Sequence, residues 1–267
     1  MSKEALAAVR VGLDDALNVF ESLSEEEWGR PSGCAGWRVQ DVAAHMSSNF
    51  KETADPSPPP AEPMPPLPAE RLMDLLVAPR LEWTPEQVLA ELRTYAPRLV
   101  ETLDRMQDPP LASSPLTVAD LGTYEMHQLA DAYAFDLYCH LRVDVLEPRG
   151  PIQRHVPPAD DLRIRPAVGW MLAGLPQMQG DAFAFVDRSI GLRLEGPGGG
   201  DWLIAPGADD RLTVETTTVA SEAAAVIRSG ADAFVMWGTK RGDWREHVEL
   251  EGDLPLASRF LDTLNIV

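Results

Sequence analysis

Cysteine is scarce in this chain. There are two in 267 residues, Cys34 and Cys139, far apart and without CxxC spacing. That excludes a disulfide framework and a cysteine-rich zinc site, and both thiols are expected to be buried and inert. Basic residues are also few: 23 Lys and Arg stand against 42 Asp and Glu, a net charge of −19. Nucleic acid and anionic membrane are polyanions, so neither is an expected partner. No apolar run approaches the roughly 18–20 residues that span a bilayer. The N-terminus, "MSKEALAAVRVGLDDAL", has acidic residues inside a helical pattern and lacks the apolar core and cleavage site of a signal peptide. The expected compartment is the cytoplasm. With 45% hydrophobic and 24% charged residues, the composition is that of a soluble globular protein.

What is present divides the chain in two. In the first part, Leu6, Val9, Leu13, Leu17 and Phe20 recur at steps of three and four, predicting a helix over residues 3–22. "SLSEEEWGRPSGCAGW" breaks it, and a second helix is expected from about Arg38 to Glu52. Residues 55–68, "DPSPPPAEPMPPLP", hold eight prolines. They can be neither helix nor central strand. An extended, partly polyproline II loop is expected, acting as a spacer or as a cover over a site. A third helix opens with Thr84 as N-cap, Pro85 at its first position and Gln87 closing a capping box; Pro97 lies inside it and is expected to kink it. A fourth covers about Tyr124–Leu146. Four helices suggest a bundle over residues 1–150.

After residue 150 the texture changes. "PIQRHVPPADD" reads as a linker, and a helix is expected at about Arg163–Met178. Short β-like runs follow: "AFAFVDR", "GLRLEG", "DWLIAP" and "RLTVETTT". A helix at 220–229, "ADAFVMWG", a strand near "EHVELEG" and a last helix, "LPLASRFLDTL", complete residues 151–267. This half is expected to be a separate α+β domain.

Five histidines, at 45, 127, 140, 155 and 247, are the candidate metal ligands. His155 lies in the linker and His247 in a charged stretch, so both read as surface residues. Asp136 and His140 are four apart, which places them about 40° and about 6 Å from each other on a helix. Such a pair is half of a metal site or an ordinary surface hydrogen bond. His127 is nine residues before Asp136, about 180° around a straight helix, and should face elsewhere; Glu125 lies about 16 Å down the axis. His45, among Val42, Ala43, Ala44 and Met46, is a core histidine with one hydrogen bond or a ligand from another helix. Together His45, Asp136 and His140 make a His–carboxylate–His set, as in three-ligand zinc sites with an open position; ferrous iron accepts the same set. Asp41 either orients the His45 ring or favours the helix dipole at the first turn.

"W…PSGCAGWRVQDVAAHM" resembles the helix-two pattern of the DinB-like metal-binding superfamily, specifically the mycothiol-dependent maleylpyruvate isomerase family of actinobacteria. Trp28, Pro31, Ser32, Cys34, Gly36, Trp37, Val39, Asp41 and His45 stand at matching places. "WLIAPG" and "ELEGDLPLASRFL" are loosely similar to that family's sterol-carrier-like second domain. The resemblance implies a DinB-like four-helix bundle at 1–150 and a small α+β domain at 151–267. It also implies a divalent metal, zinc first, on His45, Asp136 and His140, although the family pattern has Glu where this chain has the shorter Asp136. Arg38 stands where the family has a Ser or Thr N-cap, a change that costs about 1 kcal/mol of helix stability. The implied cofactor is mycothiol, a low-molecular-weight thiol whose pKa the metal lowers. The thiolate would add to an activated double bond; rotation and elimination give isomerisation, and retention of the adduct gives S-transfer. Arg80, Arg142 and Arg165 are either anion binders for a small acidic substrate or ordinary surface arginines. The alternatives are a metal-dependent hydrolase and a non-catalytic small-molecule or lipid-binding protein.

Overall fold

A computed structural model describes residues 3–58, 65–207 and 211–266. The chain divides into two compact units. One comprises residues 1–120 and 124–158, the other residues 121–123 and 159–267. Of the proline-rich stretch, residues 55–58 and 65–68 form neither helix nor strand, as proline content dictates, while residues 59–64 lie outside the described residues.

The first unit is helical: α1 (Lys3–Glu21), α2 (Glu25–Trp28), α3 (Val39–Ala54), α4 (Ala69–Val77), α5 (Pro85–Arg105) and α6 (Leu129–Cys139). α1 buries Leu6, Val9, Leu13 and Phe20 of the predicted face together with Ala16, while Leu17 is half-buried. α3 is the core helix. Every residue from Val39 to Ser48 is buried, and so is Phe50, because α3 packs against both α4 and α5. A helix surrounded in this way carries its polar residues into the interior, where they must be paired or serve a purpose. Thr84 and Gln87 cap α5 reciprocally. The Thr84 amide donates to Gln87 Oε1 at 2.8 Å and the Gln87 amide to Thr84 Oγ1 at 3.3 Å. Thr84→Ala is expected to lower stability by about 1 kcal/mol, read as a lower urea midpoint with unchanged slope. α5 runs through Pro97 as one helix.

At the start of α3, Arg38 has no oxygen with which to cap. Asp41 supplies part of what is missing, accepting the Arg38 backbone N–H at 2.8 Å and its Nε and Nη2 at 3.0 and 2.8 Å. Asp41 is thus a first-turn anchor and leaves the His45 ring to other partners.

The expected fourth helix is shorter and less regular than its sequence suggested. Gly122–Glu125 form β2, paired with β1 (Pro115–Val118). A 3₁₀ turn covers Met126–Gln128, and α6 starts at Leu129. Gly122 has φ of 121°, which ends any helical reading there, and Thr123 and Tyr124 favour the strand. At its other end α6 passes into a π-helical turn, His140–Val145.

The second unit is α7 (Asp161–Gly174) with a five-stranded sheet and two further helices, α8 (Ala231–Gly238) and α9 (Leu254–Thr263). The strands β3 (Ile190–Glu195), β4 (Gly200–Pro206), β5 (Leu212–Thr216), β6 (Ala225–Gly230) and β7 (Val248–Gly252) lie in the order β5-β4-β3-β6-β7. β3 and β6 are parallel, and the other pairs are antiparallel. α8 and α9 pack on β6, burying Phe234, Trp237 and Phe260 completely or nearly so. Trp237 Nε1 donates to Ser229 Oγ at 3.0 Å, and Ser229 Oγ to the His247 carbonyl at 2.9 Å, so the buried polar atoms of this core are paired.

Two expectations for this unit are corrected. Residues 225–230 are strand rather than helix, because the Val226–Ile227 step lies between β3 and β7 and is buried on both faces; sheet pairing overrides the helical propensity of the alanines. "AFAFVDR" is not a strand. A 3₁₀ turn over Gly180–Phe183 buries Phe183 and Val186, a spacing of three rather than two. Among the described residues, no helix is long and apolar enough to cross a membrane.

Candidate metal centre

α3 brings one side chain, α6 a second, and the π-helical turn that follows α6 a third. His45 projects from the buried middle of α3 and is 4% exposed. Its Nε2 lies 3.1 Å from Asp136 Oδ1. His140, one turn beyond Asp136 and at the first position of the π-helical turn, puts its Nε2 3.4 Å from the same oxygen. The two imidazole rings meet edge to face with centroids 4.8 Å apart, and Trp37 covers the His45 ring at 5.3 Å. One potential ligand atom from each of His45, Asp136 and His140 lies within 4.8 Å of the other two. The three residues singled out in the sequence are therefore brought together.

The donor set fits a divalent cation. Asp136 Oδ2 and His45 Nδ1 are buried and have no hydrogen-bond partner among the described residues. An orphaned buried acceptor costs about 1–3 kcal/mol, which a cation beside Asp136 would offset. The charges are poised for exchange as well. Burial works to raise the Asp136 carboxyl, but the facing His45 and His140 rings outweigh it and hold the group well below the usual carboxylate range. Burial works to lower His140, while the Asp136 charge and the hydrogen bonds of Asp136, Asp144 and Cys34 carry it well above its ordinary value. Without an ion, both shifts favour the carboxylate–imidazolium form of the pair, and a metal would take the place of that proton.

Sequence reasoning missed two neighbours. Asp144 is fully buried, with Oδ2 3.0 Å from His140 Nδ1. It lies four residues after His140, so the arithmetic that linked Asp136 to His140 also reaches it. Cys34 is half-buried rather than buried, and its Sγ sits 3.6 Å from His140 Nδ1. Nothing in its spacing signals this, because it sits on a loop. Cys34, His140 and Asp144 form a second group of close potential ligands. Cys139 is buried.

The remaining candidates lie elsewhere. His127 is on the 3₁₀ turn, its Nε2 2.9 Å from Glu125 Oε2, while His155 and His247 are exposed. Arg80 is buried against Glu91, donating to both carboxylate oxygens at 2.6 Å. Arg142 donates to the Pro157 carbonyl and lies over the Tyr138 ring. Arg165 pairs with Asp161 at 2.7 Å. All three arginines are engaged within the protein.

Comparison with known proteins adds three findings. The family model of the mycothiol maleylpyruvate isomerase N-terminal domain matches residues 9–144. A crystal structure of the mycothiol-dependent maleylpyruvate isomerase is similar at a TM-score of 0.59 and 16% identity, covering 95% of this chain and 94% of that one. A histidine-to-alanine mutant of that isomerase is similar at a TM-score of 0.58, with the same identity and coverage. At this identity the likeness establishes the fold: helices first, then a sheet-containing unit. No curated protein sequence matches the chain significantly.

Proposed function

Because the chain belongs to the mycothiol maleylpyruvate isomerase N-terminal-domain family, we propose that His45, Asp136 and His140 hold one divalent ion, zinc first, for thiol-dependent chemistry. The thiol is mycothiol, and the substrate is a small, electrophilic, unsaturated acid that is isomerised or S-conjugated. The observation carrying this reading is the convergence of two imidazoles on one half-buried carboxylate whose second oxygen is itself buried and has no hydrogen-bond partner among the described residues. When bound, the ion lowers the pKa of a coordinated thiol and supplies thiolate at neutral pH.

The chain's own residues do the rest. Asp136 and the two imidazoles fix three ligand positions and leave the remainder to water, thiol or substrate. Trp37 shields the His45 side of the centre. The proposal names a substrate class rather than maleylpyruvate itself, because Asp136 is one methylene shorter than the glutamate of the family pattern. It places metal binding in residues 1–150, a sterol-carrier-like domain in residues 151–267, and the protein in the cytoplasm.

The test begins with elemental analysis of protein purified without a histidine tag. One zinc per chain is the expected result, and metal-free protein that takes up none would overturn the reading. Unsaturated acids, maleylpyruvate among them, are then offered with and without mycothiol. Turnover should require the thiol. Thiol-independent hydrolysis would select a metal hydrolase, and a metal-loaded protein inert toward all of them would select a binding protein.

A further inference from the structure

We propose that Asp144 is a positioning residue for the metal centre, holding His140 by Nδ1 so that Nε2 faces Asp136 and His45. The inference rests on the metal-centre reading above.

An imidazole ligand has two nitrogens, and which one meets the ion is set by what the other one bonds. His140 Nδ1 is 3.0 Å from Asp144 Oδ2 and its Nε2 is 3.4 Å from Asp136 Oδ1. A carboxylate accepts and does not donate, so Asp144 places the hydrogen on Nδ1. When the ring is neutral, the Nε2 lone pair is left pointing at the cluster.

Asp144 is itself held from three directions. Its side chain is fully buried. The Arg149 guanidinium donates to its other oxygen, Oδ1, and the Gly33 amide donates to its backbone carbonyl at 2.7 Å. The Gly33 contact is close. A Cβ there would displace the Arg149 guanidinium from its place and lie 3.0 Å from Asp144 Cα. The π-helical turn His140–Val145, closed by the Leu146 amide on the Leu141 carbonyl at 3.1 Å, carries Asp144 on the same segment as the residue it orients. π turns of this kind recur at functional sites.

Cys34 Sγ also faces Nδ1, at 3.6 Å, so Cys34, His140 and Asp144 could instead hold an ion of their own. The Arg149 cation on Asp144 opposes that alternative, and the shorter Asp144 contact favours the orienting role.

The experiment compares wild type, Asp144→Asn and Asp144→Ala, all with the full chain. Zinc affinity is measured by competition with a chromophoric chelator, cobalt(II) absorption reports the ligand field, and circular dichroism checks the fold. Both variants are expected to fold. Asp144→Ala should bind zinc about 10- to 100-fold more weakly with shifted cobalt bands. Asp144→Asn keeps an acceptor and should lose less. A folded Asp144→Ala with wild-type zinc affinity and cobalt spectrum would overturn the proposal. Nitrogen-15 NMR of the zinc-loaded wild type gives an independent reading that needs no variant. His140 should be protonated at Nδ1 and metal-bound at Nε2; metal on Nδ1 would also overturn it. If the wild type binds no zinc, the metal-centre reading has failed and this inference goes with it. If it binds zinc and neither variants nor NMR show the effect, the positioning role alone has failed.

Discussion

Replacing His45 by alanine is expected to weaken zinc binding by more than about 100-fold while leaving the helical unit folded. The magnitude follows from comparison with outer contacts, whose loss alone typically costs 10- to 100-fold; removing a ligand must exceed that. Asp136 and His140 would remain, from α6 and the π-helical turn that continues it, with no donor from α3 to close the site. Folding should survive for identifiable reasons. Alanine is the best helix former, α3 is buried from Val39 to Ser48, and the lost imidazole has a buried Nδ1 with no partner among the described residues, whose removal offsets part of the cavity left behind. A stability loss of about 1 kcal/mol is therefore expected, within the ordinary range for single substitutions. Elemental analysis and calorimetric titration read the loss of zinc, circular dichroism the retained fold, and a urea midpoint the stability change. Near-stoichiometric zinc in His45→Ala would remove this histidine from the centre, whatever the activity did.

The parts of this site readable from sequence were those governed by one helix's geometry. Asp136 and His140 were paired by their spacing because the α-helical ladder still holds between them, the His140 amide bonding the Asp136 carbonyl at the end of α6. Asp144, four residues beyond His140, was reachable by the same step, but the sequence offered Asp41 rather than Asp144 as an orienting carboxylate. Cys34 was not reachable at all. Its place beside His140 depends on the Gly33 amide meeting a carbonyl 111 residues later, at Asp144, and a loop has no period to reveal that. His45 needed both routes. Its surroundings fit a core histidine, and it became a candidate only when a second helix offered partners.

The fold shows the same division. α1, α3 and α5 follow from apolar spacing and capping residues that act within a few positions. β6 does not, since the alanines at and just before its start favour helix in isolation and its strand depends on β3 and β7, distant in sequence. The segment before α6 failed for a related reason: Thr123 and Tyr124 pair with β1, and that partner outweighs the helical pattern downstream.

Acidification should move zinc affinity and apo-protein stability in opposite directions, and this contrast tests the electrostatics of the centre most directly. In the ion-free protein His140 is raised above its ordinary 6.5 by Asp136, Asp144 and Cys34, against the opposing effect of burial. A raised imidazole contributes stability fully below the unfolded value and loses it as pH climbs through the folded one. Asp136 is depressed below its ordinary 3.8 by the two rings, which outweigh its burial. Its contribution is present above that value and is lost as pH falls through the folded one. Ion-free protein should therefore gain most from this pair between about pH 4 and 6.5, and its melting temperature should fall as pH rises further. Zinc requires the His140 proton to leave. Below the folded value of His140, each ion displaces one proton, and affinity should rise about tenfold per pH unit. Lowering the pH below the folded value of His140 should thus weaken zinc about tenfold per unit while the ion-free form melts at a higher temperature. Zinc titrations and melting curves over the same buffers measure both slopes. Zinc affinity flat below that value would mean that the ion does not replace the His140 proton, and the exchange of charges inferred for the centre would be wrong.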